Sequence, residues 1–148
     1  GMFPISAVLA DNDIMKCMYP NTHGSTFGGN PLASVVAMES IKTIIEENMI
    51  ENSKIIGADF KNELDLICKN KNLAFSDKII DVRGLGLMNA IEFNSDETAN
   101  KFVKLLIENG ILTKVTKENT VRLTPPLTLN YEDSWKSLEI IENVLKQL

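Results

Sequence analysis

The sequence predicts an α/β fold of the α+β type, in which antiparallel strands lie under helices. Apolar residues recur at helical spacing in four segments after residue 30, and short strand-like segments lie between the second and the fourth of them. The composition fits one packed domain, because 148 residues that are 44% hydrophobic and 24% charged can fill one core and leave little for a second.

The chain divides into two unequal parts. Residues 1–30 hold a strand-like segment at 5–9 and then a polar stretch without periodicity, which is typical of a piece of a larger sheet domain. Residues 31–148 are regular and are expected to form a smaller domain of their own.

Two helices open this second part, at 31–48 and 52–70. Their apolar stripes are expected to face a core. The stripe residues are Leu32, Val35, Val36, Ile41, Ile44 and Ile45 in the first helix and Ile56, Phe60, Leu64 and Ile67 in the second.

Short strands are predicted next, at 79–82 and 87–93, separated by Gly84 and Gly86. The helix that follows has Asn94 or Ser95 as its N-cap residue, and Gly110 stands just after its end. One face of this helix is apolar and consists of Ala99, Phe102, Val103 and Leu106.

The chain closes with a predicted hairpin and a helix. The hairpin joins strands 111–115 and 120–123 through residues 117–119. The last helix begins after Asn130, and its residues at helical spacing are Trp135, Leu138, Ile141 and Leu145.

The most distinctive segment is 23–33, which reads His-Gly-Ser-Thr-Phe-Gly-Gly-Asn-Pro-Leu-Ala. Asn30 and Pro31 begin a helix, so four backbone N–H groups without helical partners are expected beside the hydroxyls of Ser25 and Thr26. That combination is typical of an anion site. The spacing matches neither a Walker loop nor G-x-G-x-x-G, so a glycine-rich turn that only caps a helix is an equal alternative.

Arginine is scarce in this chain, with two arginines against thirteen lysines. Where lysine serves as the general cation, an arginine more often marks a position that needs a planar, bidentate donor. Arg122 lies on a predicted strand just before Pro125-Pro126, where a carboxylate-binding role and a surface ion pair on an edge strand are the alternatives. Arg83, beside Gly84, is expected to belong to a structural turn.

Residues 23–32 resemble the cofactor-phosphate loop of class III pyridoxal-phosphate aminotransferases, and three further segments agree in the family's order. These are Pro-Ile-Ser-Ala-Val-Leu at 4–9 with Asp-Ile-Met at 13–15, Val-Arg-Gly-Leu-Gly-Leu at 82–87 with Ala-Ile-Glu at 90–92, and Arg-Leu-Thr-Pro-Pro-Leu at 122–127. Within the class, the first and last segments are most similar to ornithine aminotransferases. Acetylornithine and other class III ω-aminotransferases are the alternative.

The resemblance implies the C-terminal part of a fold-type I enzyme with pyridoxal 5′-phosphate as cofactor, in which residues 1–30 belong to the large domain and 31–148 form the small one. Ser25 and Thr26 would bind the cofactor phosphate of the partner subunit, so the enzyme would be at least a homodimer. Arg122 would bind the α-carboxylate of the substrate. The ω-amino group of ornithine would pass to 2-oxoglutarate, giving glutamate semialdehyde and glutamate.

The lysine that holds the cofactor as a Schiff base in this family is expected upstream of this chain, since none of the thirteen lysines stands in a matching position. Gly1 is either the last glycine of that lysine's Lys-x-x-x-Gly-Gly context or a foreign residue. The chain alone is therefore expected to be inactive, with no catalytic residue of its own. A non-catalytic domain that binds small molecules or partners, derived from such an enzyme, is the alternative.

Charge and composition exclude several classes of partner. A net charge of −5 and a pI near 4.9 argue against nucleic acid, and no apolar stretch is as long as a membrane span. Cys17 and Cys68 are too few for a disulfide framework or a zinc site and are expected to be reduced and at least partly buried. These features fit a cytoplasmic enzyme, with the mitochondrial matrix as the alternative.

Overall fold

The computed structural model describes residues 3–71 and 73–148. Gly1, Met2 and Asn72 lie outside the described residues. Both origins of Gly1, native or foreign, therefore stay open. The chain forms two compact units, one reaching to Glu47 and the other running on to Leu148. The helix expected to open the small domain therefore belongs to the first unit. The origin of residues 1–30 in a large cofactor-binding domain stays a prediction.

The first unit contains two helices, α1 (Asn12–Met15) and α2 (Pro31–Glu46). The start of α2 is confirmed, because Asn30 Oδ1 accepts a hydrogen bond of 2.9 Å from the backbone N–H of Ala33 and Pro31 takes the first helical position. The strand predicted at 5–9 is wrong, since the described part of this unit holds no strand. A strand needs a neighbour for its backbone N–H and C=O groups, and among the described residues no segment pairs with 5–9.

The expectation that the apolar stripe of α2 faces a core is also wrong. Ala33 is the buried residue of this helix. Four stripe residues are 60–64% exposed, namely Leu32, Val35, Ile41 and Ile45. Apolar spacing predicts where a helix presents its hydrophobic face, but burial needs a second surface to cover that face.

The second unit is a four-stranded antiparallel sheet with helices packed on it, which confirms the predicted α+β class. Its elements are α3 (Met49–Cys68), a short 3₁₀ helix (Ser76–Lys78), β1 (Ile79–Leu85), β2 (Met88–Phe93), α4 (Asp96–Glu108), β3 (Lys114–Thr116), β4 (Thr120–Leu123) and α5 (Tyr131–Leu145). The strand order is β1-β2-β4-β3, so β2 and β4 are the central strands.

Local signals located both ends of α4 and the start of α5 correctly, whereas α3, predicted at 52–70, runs from Met49 to Cys68. Ser95 and Asn130 cap α4 and α5 through their side chains, and Gly110 follows the end of α4 with a φ of +89°. The observed strand ends differ more from the predicted ones. β1 continues beyond the predicted segment to Leu85, and β3 begins only at Lys114.

One face of the sheet is buried under α3, α4 and α5. Val82, Ile91 and Val121 form a row across three strands, and each is at most 5% exposed. The helices contribute Phe60, Leu64, Cys68, Ala99, Phe102, Leu106, Leu138, Ile141, Val144 and Leu145 to the same core. Side chains alternate along a strand, so the neighbouring residues point to the opposite, open face of the sheet.

Trp135 was predicted on the same stripe of α5 as the core residues, but it is 53% exposed. The buried residues of α5 are Ser134, Leu138, Ile141, Val144 and Leu145. Each helical residue turns by about 100°, so Trp135 lies at the edge of a buried face that is centred near Ser134 and Leu138.

The turn between β1 and β2 packs directly against α3. A Cβ atom on Gly57 would lie 2.3 Å from the carbonyl carbon of Gly86, so only glycine allows this approach. The Leu87 N–H donates to Ser53 Oγ at 3.2 Å, and Asn89 Nδ2 donates to the Gly86 carbonyl at 3.0 Å. These contacts fix the start of β2 relative to α3.

We expect Gly57→Ala to lower the free energy of unfolding, although alanine is the better helix former by about 1 kcal/mol. The added methyl group meets backbone atoms, which cannot rotate aside, and overpacking of this kind costs about 1–3 kcal/mol or more. Denaturant titration measures the net loss. The control is Ala58→Gly at the adjacent exposed position, which should lose about 1 kcal/mol through helix propensity alone. A Gly57→Ala protein that is more stable by about 1 kcal/mol, as helix propensity alone predicts, would contradict the close approach.

Candidate cofactor- and substrate-binding residues

The loop before α2 presents two free hydroxyls. It is built from two turns, in which the Gly28 N–H donates to the Ser25 carbonyl at 3.2 Å and Asn30 Nδ2 donates to the Phe27 carbonyl at 2.7 Å. Ser25 and Thr26 are exposed, and neither hydroxyl has a hydrogen-bond partner within residues 3–71 and 73–148. Both hydroxyls are therefore available to a ligand.

The expectation of four free backbone N–H groups at the start of α2 is wrong. The Asn30 N–H donates to the Phe27 carbonyl at 3.3 Å, and the Ala33 N–H donates to the Asn30 side chain. Pro31 has no N–H at all. Of the four positions 30–33, only Leu32 keeps an N–H without a partner among the described residues. The cap that starts the helix uses the N–H of Ala33, and the preceding turn uses that of Asn30.

The donors of this loop are of the kinds that bind a phosphate group. Ser25 and Thr26 supply two hydroxyls, and Leu32 supplies an N–H. A Cβ atom on Gly24 or Gly29 would meet nothing within 4 Å, so the loop leaves open space. The sequence has no acidic residue between Asp13 and Glu39, and a phosphate dianion would meet no carboxylate from this segment.

Arg122 lies on β4, which is a central strand, so the edge-strand alternative is wrong. Its side chain is exposed, and its guanidinium forms no ion pair or hydrogen bond with the part of the chain that the structure describes. The strand is held at this point by Thr113, whose hydroxyl donates to the Arg122 carbonyl at 2.6 Å. Arg122 is therefore fixed by its backbone while its five N–H donors stay free.

A row of four residues, three of them cations, crosses the open face of the sheet through Arg122. The row consists of Arg83 on β1, Ala90 on β2, Arg122 on β4 and Lys114 on β3, each opposite the next. Sequence reasoning did not identify Lys114. The predicted hairpin places Lys114 and Arg122 on neighbouring strands, which is the signal that could have found Lys114. The hairpin alone does not fix which residues stand opposite each other.

Arg83 differs from Arg122 in being paired with carboxylates of the chain. Its Nη1 donates to Glu92 Oε2 at 2.6 Å and to Asp81 Oδ2 at 3.0 Å. The hydrogen bonds to Glu92 and then to Asp81 raise the pKa of the guanidinium. Arg83 thus lies within strand β1 and not in a turn as predicted, and two acidic side chains share one of its nitrogens.

The two cysteines differ in their exposure to solvent. Cys68 is buried as expected, and burial raises the pKa of its thiol to about 12, so that it stays protonated at neutral pH. Cys17 is exposed, so the expectation of burial was wrong for this residue. Both thiols are free.

The described residues contain neither a metal-binding cluster nor a membrane-spanning helix. Within residues 3–71 and 73–148, no group of three or more histidine, cysteine or acidic side chains is arranged to hold a metal ion. No helix in the same ranges combines the length and the apolar character needed to cross a membrane.

An unpaired arginine on a central strand and two free hydroxyls in a loop before a helix agree with the predicted class of enzyme, the aminotransferases. The family model for class-III aminotransferases matches residues 1–145, and the chain belongs to this family. The predicted membership is confirmed.

Several relatives share both sequence and fold with this chain. It is 45% identical over 150 residues to the mitochondrial ornithine aminotransferase of Arabidopsis thaliana, covering 99% of this chain and 31% of that protein. Two solved structures are each 40% identical with a TM-score of 0.86: an acetylornithine aminotransferase from Elizabethkingia anophelis and an ornithine aminotransferase from Plasmodium yoelii. They cover 100% and 99% of this chain and 38% of their own chains. The chain spans about a third of the length of the curated relatives it matches.

Proposed function

We propose that this chain forms part of a pyridoxal-phosphate enzyme that transfers the ω-amino group of ornithine to 2-oxoglutarate, giving glutamate semialdehyde and glutamate. The observation that carries the proposal is the free guanidinium of Arg122 on a central strand. A buried or paired arginine there would serve the fold, whereas an unpaired one suits a carboxylate from outside. Both substrates of this reaction are amino or oxo acids with an α-carboxylate.

The proposed roles follow from the donors of each residue. The planar guanidinium of Arg122 donates two parallel hydrogen bonds to a carboxylate and so fixes both the position and the plane of the substrate. Ser25 and Thr26 donate to the cofactor phosphate, and the open space at Gly24 and Gly29 admits it. When bound, pyridoxal phosphate supplies the electron sink for the transfer. The protein supplies anchoring and orientation.

The proposal includes a homodimer, because the loop of Ser25 and Thr26 serves the cofactor of the neighbouring subunit in this family. It places the enzyme in the cytoplasm, with the mitochondrial matrix as the alternative. The Arabidopsis relative carries the word mitochondrial in its name.

The substrate assignment is tested on the complete protein loaded with cofactor. Ornithine and N-acetylornithine are each supplied with 2-oxoglutarate, and glutamate formation is measured. We expect the higher kcat/KM with ornithine. A preference for N-acetylornithine would support the second candidate, which the 40% identity to an acetylornithine aminotransferase favours. Cofactor binding without turnover of either compound would indicate the non-catalytic alternative.

In the complete protein, Thr26→Ala should weaken cofactor retention. A hydroxyl that donates to a charged acceptor contributes about 1.5–3 kcal/mol, which corresponds to roughly ten- to a hundredfold in affinity. Cofactor loss on dialysis, followed by absorbance, measures this. The matched control is Thr22→Ala, because the Thr22 hydroxyl already donates to the Tyr19 carbonyl at 2.6 Å. Equal retention by both variants would assign Thr26 to packing.

Arg122→Lys in the complete protein should damage substrate binding even though the charge is kept. Lysine loses the planar bidentate geometry, and one charge-assisted hydrogen bond is worth about 1.5–3 kcal/mol, or at least about tenfold in kcat/KM. Steady-state kinetics with the amino donor and the oxo acid measure the loss, while cofactor retention should stay normal. Wild-type kcat/KM for both substrates, or a variant that unfolds, would make Arg122 a structural residue.

A further inference from the structure

Glu92 lies between two arginines on the open face of the sheet. On the central strand β2, Ala90 stands opposite Arg83 on one side and opposite Arg122 on the other. Glu92 is two residues further along β2, so it lies on the same face and diagonal to both arginines. Diagonal neighbours on adjacent strands are about 7–8 Å apart, which long side chains can bridge. The carboxylate of Glu92 can therefore reach either of two guanidinium groups.

The structure shows Glu92 bound to Arg83. The 2.6 Å hydrogen bond between them demonstrates that a diagonal contact forms on this face. Asp81 stands directly opposite Glu92 and is held by the same Arg83 nitrogen at 3.0 Å. Two carboxylates opposite each other on neighbouring strands repel, so Arg83 removes a repulsion as well as forming two ion pairs.

We infer that Arg83 is a positioning residue, which holds Glu92 away from Arg122 and thereby leaves Arg122 free to bind a substrate carboxylate. The inference rests on the proposed function, since it takes Arg122 as the carboxylate-binding residue. Without Arg83, Glu92 has no cation on β1, and its attraction to a cation on the opposite strand is increased only slightly by repulsion from Asp81. Arg122 is the cation that the register places within its reach there, because Lys114 lies one strand further away. Arg122 would then hold an internal carboxylate in place of the substrate's.

The test measures binding of glutarate, a dicarboxylate that lacks the reacting carbonyl, to the complete cofactor-loaded protein by calorimetry. Arg83→Met should weaken glutarate binding about tenfold, because glutarate must displace a charge-assisted hydrogen bond. Arg83→Met with Glu92→Gln should restore wild-type affinity, since an amide carries no charge to neutralise Arg122. Arg83→Lys keeps a cation beside Glu92 and should stay near wild type.

The matched control combines Arg83→Met with Asp81→Asn. It removes the same charge from the open face but leaves Glu92 able to reach Arg122, so most of the weakening should persist. A merely structural role of Arg83 predicts no difference between the two double variants. Should Arg83→Met fail to fold, Arg83→Gln is the substitute, because it keeps hydrogen bonding and loses only the charge.

A crystal structure of the Arg83→Met protein tests the same inference without any ligand. We expect the Glu92 carboxylate within hydrogen-bond distance of the Arg122 guanidinium. The inference is overturned if Glu92 stays away from Arg122, if Arg83→Met binds glutarate as wild type does, or if Glu92→Gln fails to restore binding. Failure of the proposed function has a different signature, namely a wild-type protein that turns over no ornithine whatever its glutarate affinity.

Discussion

The register of β2 determines what the second unit presents to its surroundings. Asn89, Ile91 and Phe93 are at most 1% exposed on the covered face, so the residues between them must point to the open face. A slip of one residue would bury the charge of Glu92 and expose Ile91. The strand is fixed at both ends: its start packs through the Gly86 turn on α3, and the Asn94 N–H just beyond its end donates to the Lys78 carbonyl at 2.8 Å.

Once this register is set, the charges on the open face have few possible arrangements. The row through Arg122 carries three cations, and two acids lie beside it, both bound by Arg83. Exposed ion pairs contribute only about 0–1 kcal/mol each, so this arrangement matters little for stability. Its consequence is chemical. It decides which guanidinium is neutralised within the chain and which one keeps its donors for another molecule.

The parts of this structure that the sequence predicted are those that depend on neighbours in the chain. Asn30, Ser95 and Asn130 start helices because each side chain accepts from an N–H three residues on, and Gly110 ends α4 through its own φ. The strand at 5–9 failed because pairing requires a second segment that no local pattern supplies. The position of Arg122 on a strand was predictable from the sequence. Its placement diagonal to Glu92 was not, because β2 pairs with β4, a strand that does not follow it directly in sequence.

The exposure of the candidate residues bears on how strongly they can bind. An arginine and a carboxylate in open water gain little from each other, because solvent screens the charges and hydrates both groups. The same pair gains far more where water is excluded. Ser25, Thr26 and Arg122 are all exposed in this chain, as is much of the apolar stripe of α2. In the proposed enzyme, tight binding of phosphate and carboxylate therefore requires further protein surface over these groups. The relatives are about three times as long as this chain.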